Sequence, residues 1–402
     1  MNIENGSRTT RGSGAMWIAG LTLAVLYVGS TLPTPLYLDY RRAFGFSEIV
    51  LTLIYASYVV GNLTALFALG RLSDQIGRRS VTVSALALAA VSTLLFLFAG
   101  ETVWLFAARI VSGLAIGLDA GTVTAWIAEL HPRGDKASAT VTAAAFNVAG
   151  LGVGAAVAGL LGTYRPWPLR LCFGLYLAVL IAVAVLVTMA RETVDEPSRL
   201  RNVSLHPRIG IPKEIALAFV APAVTAFATF ALLGFYAALT PSLLARSLHQ
   251  TSNAVAGAVV GELFVFSTVT IVATKTWRSR SAMRGGLALL FPSVALLILA
   301  QTLREMPVLV LGTACSGVSA AQGYRGSLAV INEIAPSERR AEVVSSYLIA
   351  CYSGNALPVI GIGVLRQLTS SLAANAAFAV MICVLATVAL VTGAHVAGKV
   401  HA

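Results

Sequence analysis

The sequence predicts an all-α membrane protein, with twelve transmembrane helices arranged as two pseudo-symmetric six-helix bundles. Three observations predict it. Of the 402 residues 57% are hydrophobic and only 11% are charged, where a soluble chain carries about 25% charged residues. The apolar residues fall into twelve runs, each close to the roughly 20 residues that cross a bilayer as a helix. Segments of the first half also recur, in one register, in the second.

The first six spans are predicted at 16–38, 47–69, 80–99, 103–128, 137–162 and 169–190, and the second six at 214–240, 253–275, 284–302, 307–332, 342–365 and 372–394. The first run follows Arg8 and Arg11 as a secretory leader would. It is too long for a leader's apolar core and no small-residue cleavage site follows it, so it reads as an uncleaved helix. The longest connection, 191–213, is rich in Arg, Glu, Asp and Pro. It reads as a cytoplasmic linker between an N-terminal bundle at 1–190 and a C-terminal bundle at 214–402. Lys and Arg set the orientation. With the N-terminus in the cytoplasm, the even-numbered gaps and both tails lie inside and hold most of the 28 basic residues. Both termini are therefore expected to be cytoplasmic.

The net charge of +11 is spread through short loops and forms no single patch, which excludes a nucleic-acid partner. Cys172, Cys315, Cys351 and Cys383 lie far apart inside apolar runs, so neither a disulfide framework nor a zinc site is expected. The histidines stand in loops, in the tail or at the end of the last helix. No metal or cofactor is expected.

The internal repeat is carried by Glu129-Leu-His-Pro132-Arg133-Gly-Asp-Lys136-Ala137, which returns as Glu333-Ile-Ala-Pro336-Ser-Glu-Arg339-Arg340-Ala341. At the same offset Gly113 meets Gly317, Gly150 meets Gly354 and Gly159 meets Gly363.

Between the second and third runs stands Gly70-Arg71-Leu72-Ser73-Asp74-Gln75-Ile76-Gly77-Arg78-Arg79. So many charges must sit at a membrane face. Asp74 precedes Arg78 by four residues, which places opposite charges on one helical face. The decapeptide resembles the G-x-L-x-D-x-x-G-R-R/K signature of major facilitator superfamily transporters, with Gly70, Leu72, Asp74, Gly77, Arg78 and Arg79 matching. That resemblance implies two parallel halves with a substrate site between them near the midplane. It also implies a conformational latch of Gly70, Asp74, Gly77, Arg78, Arg79 and Glu129, in which Glu129 joins Arg78 or Arg71 and holds an outward-open state. The corresponding gap in the second half keeps its positive charge at Lys275, Arg278, Arg280 and Arg284 but has neither the aspartate nor the glycines. The latch is expected to be asymmetric.

A charge at mid-bilayer costs at least about 2.5–3.5 kcal/mol. Arg109, Asp119, Glu262 and Arg325 bear that cost and are expected to face a polar cavity or a partner. Arg109 opens a ladder, Arg109-x-x-x-Gly113-x-x-x-Gly117-x-x-x-Gly121, whose glycines are expected to form a helix-packing seam. Arg109 itself is either a cavity residue or a structural cation held by carbonyls. The ladder resembles the superfamily's fourth-helix signature, which implies a proton-coupling role for Arg109. Asp119 lies about 15 Å further along the same helix and about 80° around it, so the two cannot pair but can border one wet space. A desolvated carboxyl can carry a proton near neutral pH, and Asp119 and Glu262 are both candidates. The alternatives are structural: Asp119 paired to another helix, or Glu262 to Arg325. Arg325 is a counter-ion or a substrate contact. Asn147, Tyr324 and Asn355 are further substrate-cavity candidates. The glycines after Asn147 faintly resemble an antiporter signature, without its proline.

The resemblance therefore implies a proton-coupled exporter of small organic molecules in a bacterial inner membrane, working as a monomer by alternating access. Its expected partners are a small-molecule substrate, protons and the lipid bilayer. The alternative is a symporter or facilitator that takes up an organic anion or a sugar-like solute. A membrane sensor is disfavoured because no soluble domain is appended. An enzyme is disfavoured because no G-x-S-x-G, H-E-x-x-H or phosphate-binding loop occurs.

Overall fold

The computed structural model describes residues 13–69, 72–132, 134–194 and 209–401. Lipid offers the backbone no hydrogen-bond partners, so each apolar run must satisfy its own amides as a helix. The helices are α1 (Ser13–Thr31), α2 (Tyr37–Phe44), α3 (Glu48–Leu69), α4 (Leu72–Ile76), α5 (Arg78–Leu97), α6 (Thr102–Leu130) and α7 (Lys136–Tyr164). They continue as α8 (Pro168–Met189), α9 (Ala216–Ser247), α10 (Asn253–Ala273), α11 (Ser279–Leu303), α12 (Met306–Ile334), α13 (Arg340–Leu368) and α14 (Ser371–His401). Apart from the short α2 and α4, the helices match the expected spans to within about five residues, save that α1 ends about seven residues early and α9 and α14 run about seven residues further. Among the described residues, eleven spans are long and apolar enough to cross a membrane. The remaining long helix, α12, carries Arg325 and several Gly and Ser.

One boundary differs in kind. The first span does not run unbroken to residue 38. It stops at Thr31, passes through a 3-10 turn at Thr34–Leu36 and resumes as α2. Pro33 and Pro35 lack amide protons, so they cannot close the last turn of α1. The break leaves carbonyls of that turn open to other donors.

The helices form two bundles. Within the first, α6 packs against α3, α5 and α1, α7 against α1, and α8 against α5; within the second, α12 packs against α11, α10 and α9, and α9 against α13 and α14. The bundles meet along α7 with α10 and along α3 with α13. The repeated glycines make the same contacts in each copy. Gly113 lies on the Tyr58 carbonyl of α3 and Gly317 on the Leu263 carbonyl of α10; Gly150 lies on the Ala24 carbonyl of α1 and Gly354 on the Phe227 carbonyl of α9. The third pair packs between bundles: Gly159 meets Gly257 of α10, and Gly363 meets Thr52 of α3. Outer faces such as Ile181 and Val185 of α8, or Val380 and Val384 of α14, expose large apolar side chains, as lipid contact requires.

The seam on α6 is shorter than the sequence suggested. Gly117 sits against the Asn62 carbonyl, but Gly121 has nothing within 4 Å of where a Cβ would lie. A step of four residues advances 40° per rung, so the ladder rotates off the α3 contact. A Cβ added at Gly113 would stand 2.0 Å from the Tyr58 carbonyl oxygen. Gly113→Ala should therefore cost about 1–3 kcal/mol through overpacking and lower the melting temperature of the detergent-purified protein. Gly121→Ala should leave it unchanged.

Candidate functional site

The interruption between α1 and α2 positions Arg109. Its Nη1 donates to the Ser30 carbonyl at 2.8 Å and its Nη2 to the Tyr55 carbonyl at 3.4 Å. Ser30 belongs to the last turn of α1, where open carbonyls and the negative end of the helix dipole favour a cation. The guanidinium also lies over the rings of Tyr58 and Tyr55, at 4.8 and 5.3 Å from their centroids, where a cation gains from the ring quadrupole. Arg109 is 1% exposed and touches no carboxylate among the described residues. Of the two readings open in the sequence, the geometry matches a cation held by carbonyls.

In front of Arg109 an aromatic and amide-rich centre spans both bundles. The Tyr55 hydroxyl donates to Asn355 Oδ1 at 2.6 Å, joining α3 to α13. Tyr27 of α1 lies beside Asn147 of α7, within electrostatic reach of Tyr324 on α12 and Tyr352 on α13. Phe230 of α9 sets its edge against Tyr324 and Tyr352, with centroids 5.3 and 6.1 Å apart. Asn62 neighbours Tyr352, is 1% exposed, and neither amide atom meets hydrogen-bond geometry. Asn147, Phe230, Tyr324 and Tyr352 keep partial exposure deep inside the fold, as walls of an internal space do. Asn147, Tyr324 and Asn355 are thus brought together. Phe230 gave no signal in the sequence, because one more phenylalanine in an apolar run is indistinguishable from packing.

The remaining buried charges lie elsewhere. Asp119 is 0% exposed and sits beside the Thr82 hydroxyl of α5, yet neither carboxyl oxygen nor that hydroxyl meets hydrogen-bond geometry. It is enclosed in the first bundle and does not share an open crevice with Arg109; the 80° between them turns it toward α5. Tyr27 stands within its electrostatic reach. Glu262 is half-exposed on the α10 face that also exposes Val265 and Val269. It has no ion pair or hydrogen bond among the described residues, so the alternative pairing with Arg325 is not made. Arg325 Nη1 donates to the Lys275 carbonyl at 3.4 Å, just past the end of α10. That carbonyl lies roughly 20 Å along the helix axis from Glu262. Arg325 therefore reaches past the end of α10, while its buried Nε and Nη2 meet no hydrogen-bond geometry among the described residues.

On the face away from the signature loop, the bundles are tied together by charge. Glu48, at the start of α3, receives Arg366 of α13 and Arg246 of α9, the latter at 2.7 Å, with Arg41 at 4.0 Å. Arg366 also donates to Asn375 at 2.8 Å. Glu48 and Arg366 are 6% and 7% exposed, so this is a buried pair. Asn253 of α10 donates to Asp39 of α2, and the Ala254 amide to Thr163 of α7 at 2.7 Å. This cluster gave no signal in the sequence because each residue stands at or near a helix end, where charge is ordinary.

At the signature-loop face, Arg78 pairs with Asp74 and, at 2.8 Å, with Glu129, and donates to Ser73 at 2.7 Å. Glu192, also missed, accepts the backbone amides of Arg78 and Arg79 at 2.8 and 3.0 Å, at the N-terminus of α5. Anionic groups are stabilised there. Gly77 makes room with φ of 102°, and a Cβ on it would stand 2.6 Å from Glu192 Oε2. Thr193 donates to Glu129, and Trp126 donates to the Arg191 carbonyl at 3.1 Å. Gly70 and Arg71 lie outside the described residues. Of the expected latch, Asp74, Arg78 and Glu129 are joined within the first bundle, and Glu192 and Thr193 bring the start of the linker to them.

Comparison with known proteins places this geometry. The model of the Major Facilitator Superfamily matches residues 19–359. The chain is 26% identical over 156 residues to the arabinose-proton symporter of Bacillus subtilis (strain 168), a match covering 37% of this chain and 33% of that relative. The match thus spans about a third of the curated relative's length. Among solved structures, a variant of the nucleoside transporter NupG superposes with a TM-score of 0.74 at 14% identity, covering 94% of this chain and 99% of that one. A bacterial homolog of the human lysosomal transporter Spinster, inward-facing and unoccupied, superposes at 0.66 and 15% identity, over 97% and 95%.

Removing one partner of a buried ion pair costs about 3–5 kcal/mol because the other charge is stranded. Glu48→Gln should therefore favour parting of the bundles on the far face. Spin labels at Ala43 and Leu368 should report a longer separation than in the unsubstituted protein. Gly77→Ala should destabilise by about 1–3 kcal/mol, since a Cβ meets both a restricted backbone region and the Glu192 carboxylate. A melt of the purified variant checks it.

Proposed function

This chain belongs to the Major Facilitator Superfamily, and we propose that it is a proton-coupled transporter exporting small organic molecules from a bacterial cytoplasm. In this reading residues 1–190 and 214–402 rock about the aromatic centre, joined by the linker at 191–213, in a monomer. The signature-loop face and both termini are cytoplasmic, as the distribution of Lys and Arg favours.

The observation that carries proton coupling is Asp119. An ionised carboxylate with neither a counter-charge nor a hydrogen bond is not tolerated in an apolar interior, whereas the protonated acid is. Asp119 must therefore exchange a proton whenever its surroundings become wet. Tyr27, within reach of Asp119 and beside Asn147, Tyr324 and Tyr352, gives that event a route to the centre. Arg109 supports it by fixing the break at the end of α1, the helix that carries Tyr27. The ladder of Arg109, Gly113 and Gly117, alike in pattern to exporters, favours outward movement. Glu262, on an apolar face, is the weaker proton carrier.

A second reading is proton-driven uptake of a sugar-like solute, favoured by the similarity to an arabinose-proton symporter. Uptake of an organic anion is disfavoured by Arg109, which is occupied by carbonyls and rings, and by Arg325, which reaches past the end of α10.

Proteoliposomes loaded with L-arabinose or uridine and held with and without an imposed pH gradient separate these readings. Export coupled to protons should accelerate solute movement against inward proton flow. Movement of solute and protons together would favour uptake, and movement indifferent to the gradient would sink proton coupling altogether. Asp119→Asn should lose at least about tenfold of the gradient-driven rate while retaining exchange at equal pH, a loss of about 1.4 kcal/mol in coupling.

A further inference from the structure

Resting on that transport reading, we infer that the central site takes an uncharged, polyhydroxylated molecule with a flat or apolar face, in preference to an organic cation or anion. The wall of the centre is chemically uniform. Tyr27, Tyr324, Tyr352 and Phe230 offer ring faces and phenol hydroxyls, and Asn62 and Asn147 offer amides that both donate and accept. Rings stack on planar groups and on the C–H faces of sugars. Amides and phenols pair with hydroxyls in either direction.

No free charge stands on this wall. Arg109 is committed to two carbonyls and covered by the Tyr55 and Tyr58 rings. Asp119 has no exposed surface. Glu48, Arg246 and Arg366 are bound to one another at the far face, and Arg325 reaches the end of α10. A cation entering the centre would lose its hydration with no carboxylate on this wall to receive it, and a carboxylate would find no guanidinium exposed on it. A neutral polyol gives up water hydrogen bonds that amides and phenols replace. Asn62 adds an independent observation. Its donor and its acceptor are both buried and both unpartnered, beside Tyr352, and a hydroxyl that both donates and accepts supplies what each lacks.

The test uses the full-length protein purified in detergent, without any proton gradient. Inosine and phenyl β-D-glucopyranoside serve as neutral probes, tetraphenylphosphonium as the cation and benzoate as the anion. The neutral probes should raise the melting temperature and bind by calorimetry, while the charged probes should do neither. Tyr352→Phe, which keeps the ring, and Asn147→Ala, at a partly exposed position, should each weaken neutral binding at least tenfold with unliganded melting unchanged. Failure of both neutral probes to bind, preferential binding of either charged probe, or neutral binding unaffected by both variants overturns the assignment. Because binding here needs no gradient, such a failure leaves gradient-driven transport standing, and a transport failure leaves the binding result standing.

Discussion

An apolar solvent gives a polar group nothing to bond with, and the interior of this molecule is arranged around that constraint. Buried charges meet it in three ways. Arg109 is received by the open end of a broken helix and by two ring faces. Glu48 and Arg366 neutralise each other, with Asn375 taking a remaining donor. Asp119 has no partner, so its ionisation depends on water reaching it. The first two are structural joints, and the third can change charge without breaking a bond.

Much of this was legible in the sequence. Twelve long helices, the Asp74–Arg78 pair and the repeated glycines follow from spacing, which a linear string records well, while the Glu129 contact was implied by the resemblance of the signature loop. The glycine pairs were informative because a backbone contact fixes both partners in each copy. What was not legible depends on azimuth. Gly121, Glu262 and Arg325 each sit on a helix whose face toward its neighbours differs by less than one turn from the one assumed. Spacing gives relative angles along one helix but not where its neighbours stand.

The second kind of omission concerns helix ends. Glu48, Glu192, Arg246 and Arg366 look like ordinary terminal charges, yet two of them are almost fully buried. Their importance comes from long-range convergence: Glu48 and Arg366 are far apart in sequence and adjacent in space. The two faces of the molecule are consequently unlike. On the far side, ion pairs run between the bundles and must break for the bundles to separate. On the signature-loop side, the ion pairs lie within one bundle, and Glu192 ties the beginning of the connecting segment to that same bundle. One face is held by contacts that oppose motion, while the other is braced as a rigid part of whatever moves.

Between these faces, Gly159 and Gly257 bring two backbones from opposite bundles together with no side chain between them. Interdigitated side chains act as teeth, and tilting past them demands that rotamers unlock. A contact of bare backbone has no teeth. In the proposed rocking it can serve as a smooth bearing on which one bundle rolls against the other, leaving the charged rim and the Tyr55–Asn355 hydrogen bond as the contacts that must give.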